Sequence, residues 1–153
     1  MKESKYYLQN WKKWKRTVQL LEETRDELMD MKRAIPIGSD NMPGGNHSSV
    51  IAKMQKIIEQ CDQYDILISN YNFLINSLER AITVLNEDEK EVCIIFSNNP
   101  DNSDVREALA SKRGYSRATF YRILDDVYIK LNMLLCLSPI MTIDDYDKEI
   151  YWD

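Results

Sequence analysis

Turn formers are scarce in this chain. Four glycines and four prolines in 153 residues leave little room for the many tight connections of a β-barrel or sandwich, so an all-α fold is expected. Histidine occurs once, at His47, and the three cysteines, Cys61, Cys93 and Cys136, lie far apart without the C-x-x-C spacing of zinc or redox sites. We read His47 as a solvated loop residue and the cysteines as reduced core thiols. No stretch approaches the roughly 18 uninterrupted apolar residues of a membrane span. The first 16 residues contain no apolar core leading to a small-residue cleavage site, so no membrane is expected and the expected location is the cytoplasm. There is also no phosphate-cradling glycine motif, metal-ligand cluster or nucleophile with a visible base. An enzyme, a cofactor and a metal are therefore not expected.

What remains is a folded chain, 44% hydrophobic and 29% charged, sized for one ordinary domain or a small domain plus an extended helical element. A net charge of -5 argues against a general nucleic-acid coat, which needs broad positive charge, but the charge is unevenly spread. Residues 1–16 hold six Lys/Arg against one Glu, residues 103–131 six against four acids, and residues 132–153 one Lys against five acids.

Apolar residues recur at helical spacing from Ser4 to Ala34, through Tyr7, Trp11, Trp14, Val18, Leu21 and Leu28 with Leu8 and Met31 flanking, which predicts an amphipathic helix. Trp11 and Trp14 sit among Lys12, Lys13, Lys15 and Arg16, a pattern that nucleic-acid stacking or a membrane surface also uses; their place in the stripe assigns them to core packing. Residues 35–49, IPIGSDNMPGGNHSS, break both helix and strand and form a loop. Ser48 or Ser49 can cap a second helix whose stripe runs Val50, Met54, Ile57, Cys61, Tyr64, Ile68, Tyr71, Ile75, Leu78, Ile82, Leu85 in alternating steps of four and three. Such a seam over a rod of about 54 Å needs a partner along its length. That partner is the first helix folded back as an antiparallel hairpin, or the same helix of another subunit; the hairpin is the expected arrangement, with a homodimer through the long helices compatible with it.

Asn86 with Glu89 reads as a capping box opening a short helix from Glu87 to Phe96, with Val92, Ile95 and Phe96 inward. Its acidic cluster, Glu87, Asp88, Glu89 and Glu91, suits the positive end of the helix dipole. SNNPDNSD is a run of turn formers, and Asp104 with Glu107 offers the next cap. Residues 109–122, LASKRGYSRATFYR, then have helix-turn-helix grammar: a small Ala110 where two helices cross, Gly114 for the positive φ of the turn, and Ser116 as the cap of the second helix. In that second helix Phe120, Ile123, Leu124 and Val127 form the apolar face. Arg117, Ala118, Tyr121 and Arg122 lie on the other, at the end that enters the major groove in this motif. The candidate DNA-binding residues are Lys112, Arg113, Ser116, Arg117, Ala118, Thr119, Tyr121 and Arg122. The arginines suit guanine edges or phosphates, Tyr121 suits phosphates, and Ala118 or Thr119 suits a thymine methyl.

Residues 85–131 resemble region 4 of sigma-70 factors and, more closely, the ArpU and RinA-like late-gene activators of phages and prophages of Gram-positive bacteria. The family string I-A-x-x-L-G-Y-S-x-x-T-V-Y-R is met here by Leu109-Ala110-Ser111-Lys112-Arg113-Gly114-Tyr115-Ser116-Arg117-Ala118-Thr119-Phe120-Tyr121-Arg122. Arg113 stands where that family has an apolar residue. A long helical amino-terminal half interrupted by a Met42–Gly45 type loop is similar to one branch of the same proteins. The resemblance implies a transcription regulator in a bacterial host cell, acting on double-stranded DNA and on bacterial RNA polymerase.

The expected organisation is thus a long helical hairpin over 1–85 with its loop at 35–49, a helix-turn-helix domain over 86–137, and an acidic, aromatic tail over 138–153 that either contacts RNA polymerase or covers the recognition helix. Two other functions fit the same pattern: a DNA-packaging recognition subunit of the small terminase type, and a module that binds RNA polymerase without touching DNA.

Overall fold

The computed structural model describes residues 2–35 and 47–135. Among them are five helices and no strand: α1 Lys2–Ala34, α2 His47–Ile82, α3 Glu87–Asn98, α4 Ser103–Lys112 and α5 Arg117–Leu134. No described helix is long and apolar enough to cross a membrane. Cys136, the Met42–Gly45 segment and the tail from residue 138 lie outside the described residues. By contact, the described residues fall into two compact units, 2–16 with 72–135 and 17–35 with 47–71.

In the second of these units the seam residues Val18, Leu21, Ile57, Cys61 and Tyr71 are buried. The Arg25 guanidinium donates a fork to Asp65, Nε–Oδ1 2.5 Å and Nη2–Oδ2 3.3 Å. That hydrogen bond, with the carboxylate charge behind it, pushes the arginine's pKa further up. Met31 and Ile35 share a shallow cleft with Lys53, Ile57 and Gln60. Met31, expected beside the apolar stripe, is 58% exposed. α2 begins at His47, so His47, Ser48 and Ser49, expected in a loop over 35–49, lie in its first turn and the serines do not cap it.

The other unit gathers the start of α1, the end of α2 and the three short helices. Its core takes Tyr7, Leu8, Trp11 and Trp14 from α1, and Leu74, Ile75, Leu78 and Ala81 from α2. α3 adds Val92, Cys93, Ile95 and Phe96, and α5 adds Phe120, Leu124, Val127, Tyr128 and Leu131. Burying a large side chain of this kind stabilises by about 1.5–3 kcal/mol, so both tryptophans act through packing. Trp11 finds a partner for its one polar atom, Nε1 donating to Glu79 Oε1 at 3.2 Å, and Lys15 Nζ lies 2.7 Å from the same oxygen. Burial works to raise the Glu79 carboxyl, but the Lys15 and Trp11 hydrogen bonds outweigh it and hold it below its ordinary value.

The first turn of a helix leaves N–H groups without intrahelical acceptors, and α1 solves this by docking on α5. The fully buried Ser4 donates its N–H to Asn132 Oδ1 and its hydroxyl to the Tyr128 carbonyl, both at 3.0 Å.

α3 opens on the capping box read from the sequence: Asn86 Oδ1 accepts from the Glu89 N–H at 2.9 Å, and Glu89 Oε1 accepts from the Asn86 N–H at 3.1 Å. The second Glu89 oxygen lies 2.7 Å from Lys130 Nζ on α5. α4 is capped by Asn102, not Asp104. Asn102 has the extended backbone a cap requires, and its side chain accepts from the Val105 N–H at 3.1 Å, which leaves Asp104 in the first turn. Cys61 and Cys93 are free and buried, and burial, with the Glu89 charge adding to it, pushes the Cys93 thiol up to about 12, which removes it from thiolate chemistry at neutral pH.

Glu89 provides a pH-dependent test of this packing. Burial works to raise its carboxyl, but the Lys130 ammonium and the Asn86 N–H prevail and hold it below its ordinary value of 4.5. A carboxyl depressed by folding contributes stability that is fully present above 4.5 and is lost as the pH falls through the folded value. Glu89→Gln, which keeps the volume and a capping oxygen, should lower stability by about 1 kcal/mol at neutral pH. In urea unfolding, the gap from wild type should close as the pH is taken below 4.5.

Candidate nucleic-acid interface

The α4–α5 connection is built from backbone geometry. Gly114 has φ 88°, the only positive φ among the described residues. The Tyr115 N–H reaches the Ala110 carbonyl at 2.9 Å and the Gly114 N–H the Ser111 carbonyl at 3.0 Å. These 6→1 and 5→2 bonds close α4 in a Schellman turn. Ser116 then starts α5 with extended backbone, its Oγ accepting from the Thr119 N–H at 3.2 Å and pairing with Thr119 Oγ1 at 2.9 Å. Ala110 is 1% exposed, so a larger side chain there has no space. The sequence thus anticipated each of the three local devices, at Ala110, Gly114 and Ser116.

Around this turn the candidate residues divide into three groups. Lys112, Ala118 and Arg122 are exposed, and neither Lys112 nor Arg122 forms an ion pair among the described residues. Arg113 and Arg117 point outward but already hold carboxylates: Arg113 Nη1 is 2.9 Å from Glu91 Oε1 on α3, and Arg117 Nε is 3.2 Å from Glu107 Oε1 on α4. Ser116 and Thr119 are occupied in the cap, and Tyr121, expected on the open face, is half-buried and donates its hydroxyl to Glu107 Oε1 at 3.0 Å. One Glu107 oxygen therefore ties α4 to both Arg117 and Tyr121 of α5.

The acidic partners are what the sequence reading missed. The Tyr115 hydroxyl lies 2.8 Å from Asp88 Oδ1 and 3.0 Å from Glu91 Oε2, and donates its one proton to either. The Asp88 carboxylate first, then burial and Glu91, hold the phenol well above its ordinary range, so Tyr115 stays a neutral donor. Asp88 and Glu91 do more than complement a helix dipole, because they anchor the turn to α3. The available signal was their spacing of three, which puts both on one face of α3.

Arg106 was also unmarked in the sequence. Its Nη1 donates to the Asn99 and Pro100 carbonyls at 2.9 and 2.7 Å, and its guanidinium lies over the Phe96 ring at 5.2 Å. It fixes the α3–α4 loop from beneath. Among the described residues, no group of three or more His, Cys, Asp or Glu side chains is placed to hold a metal ion.

No family model, curated protein or solved structure matches the chain.

A Cβ added at Gly114 meets nothing within 4 Å, so substitution there costs backbone strain alone. Gly114→Ala should lower unfolding stability by about 1–2 kcal/mol, and Gly114→Asn by less, because asparagine tolerates the left-handed region. Equal losses for the two variants in thermal melts would mean that something other than φ limits the turn.

Proposed function

We propose that this chain is a sequence-specific DNA-binding transcription regulator of the sigma-70 region-4-like type, a phage or prophage late-gene activator working in the cytoplasm of a bacterial host. In this reading α4 and α5 form a helix-turn-helix, α1 and α2 an antiparallel hairpin, and no residue is catalytic. The observation that carries it is the outward, basic amino end of α5, Arg117, Ala118 and Arg122, held by a turn whose Gly114 and Ser116 have the geometry such a motif needs.

The internal ion pairs do not oppose DNA contact. The side chains of Arg113 and Arg117 are 67% and 77% exposed, and pairs that open to water contribute about 0.2–1 kcal/mol. A bidentate arginine contact to a guanine edge is worth about 1–3 kcal/mol, so exchange of Glu107 for DNA is favourable. The exposed Leu20, Ile51, Ile58 and Ile66 on the long helices support a homodimer through them.

A second reading, a module that binds RNA polymerase without DNA, is favoured by the same observation turned round: two of the four cations at the turn are already neutralised by Glu91 and Glu107.

A salt-dependent titration against random fragments and fragments from the neighbouring genome separates the two. Wild type should prefer one fragment, and Arg117→Ala with Arg122→Ala should cost about 2–5 kcal/mol on it and abolish the preference. Glu107→Gln, which removes a competing carboxylate, should tighten binding to all fragments. No binding even at low salt would remove the DNA reading and leave a protein partner as the better explanation.

A further inference from the structure

The amino-terminal half of α1 is basic as well as aromatic. Its tryptophans are in the core, but its cations are not. Lys12, Lys13 and Arg16 line a cleft of about 380 Å³ with Gln9 and Asn10, together with Ser97 and Asn98 at the end of α3 and Pro100 and Asp101 of the α3–α4 loop. The cleft is formed entirely within the unit that carries the α4–α5 turn.

The charged residues of its lining are Lys12, Lys13 and Arg16 on α1 and Asp101 opposite them. The remainder are amides, a hydroxyl and a proline, so the lining is polar and positive, with no apolar floor for a hydrophobic ligand. Lys12 and Lys13 are adjacent, about 1.5 Å apart along the axis of α1, and Arg16 lies about 4.5 Å beyond Lys13, close to one helical turn. Lys12 is steadied by the Trp11 ring, its Nζ 4.9 Å from the centroid, and the far wall is steadied by Arg106 through the Asn99 and Pro100 carbonyls. The site is thus preorganised on both sides.

Its position also matters. The cleft's loop wall runs directly into Asn102, the cap of α4. In a helix-turn-helix the first helix crosses the phosphate backbone while the second enters the groove. α4 therefore starts beside the cleft and ends at the turn, a length of roughly 15 Å for its ten residues.

We propose that Lys12, Lys13 and Arg16 form a second contact for duplex DNA, a sequence-independent clamp on the phosphodiester backbone flanking the groove that α5 reads. This rests on the DNA-binding reading above and assigns the amino end of α1 to the same surface. It explains how a chain of net charge -5 gains affinity: the charge that matters is local, and base contacts from α5 are supplemented by counterion release at the cleft.

The test is the slope of log affinity against log salt concentration on duplex DNA. Each phosphate neutralised contributes about 0.9 to that slope. Lys12→Gln/Lys13→Gln/Arg16→Gln should lower its magnitude by roughly two to three and weaken binding about 10- to 100-fold at 0.1 M salt, equally on preferred and random fragments. Lys13→Gln/Arg16→Gln, which spares the Lys12–Trp11 contact, should lower it by roughly two, and thermal melts of both variants report whether the fold is kept. An unchanged slope in both variants, with wild type and its preference intact, overturns the clamp and leaves the α5 reading standing. Loss of fragment preference in the double variant overturns it too, since a backbone clamp carries no sequence information. If wild type binds no duplex at low salt, the DNA reading falls and the clamp falls with it.

Discussion

The direction a helix presents its side chains is set only when its axis is fixed from a third side, and α3 does this for α5. Glu89 sits 4% exposed at the first turn of α3, one oxygen accepting from the Asn86 N–H and the other facing Lys130 of α5. An unpaired carboxylate there would be costly to bury; the capping box and the lysine satisfy it and, in doing so, set the register of α3 on α5. From that register the apolar contacts follow, with the Phe96 ring edge-on to Tyr128 at 5.9 Å and Phe120 fully buried one side over. α4 is then held at both ends, by the Schellman turn at Gly114 and by Arg106 beneath the preceding loop.

The same helix governs the electrostatics of the turn. Asp88 and Glu91 engage Tyr115 and Arg113, while Glu107 engages Arg117 and Tyr121. A cluster of like-charged arginines around a four-residue turn would repel itself if left bare. Interleaving it with carboxylates keeps the turn neutral enough to fold and leaves its cations on the outside. On the proposed DNA reading, a ligand must offer Arg117 more than a surface carboxylate does in order to displace Glu107.

Local chemistry was the legible part of the sequence. The capping box at Asn86 and Glu89, the positive φ at Gly114, the cap at Ser116 and the buried Ala110 each depend on a few consecutive residues, and the physics that selects those residue types acts at that range. The seam was legible for a similar reason, since Ile57, Cys61, Tyr71, Ile75 and Leu78 repeat a spacing that only a helix turns to one side. Pairings across large sequence separation were not. Nothing in a one-dimensional pattern announces that Tyr121 turns from the open face to Glu107, or that Arg113 meets Glu91, because each depends on how two helices cross. The cap of α4 was misplaced by two residues for a simpler reason: Asn102, Ser103 and Asp104 are all good capping types, and only the backbone angle at Asn102 decides among them.

The docking of α1 on α5 belongs to the same class and has the largest consequence. Ser4 lies 128 residues from Asn132, yet its N–H and hydroxyl are both satisfied on the last turns of α5, and Leu8 beside it is fully buried. α5 is therefore held at its carboxyl end by the first turn of α1. That makes the basic stretch Lys12–Arg16 part of the same folded body as the turn, at a distance set by packing and not by a flexible tether. Charge on a tether raises only the local concentration of a polyanion, whereas charge held in a fixed body also constrains how the polyanion lies. The contacts of Ser4 thus make the basic segment of α1 part of the folded body that carries the α4–α5 turn.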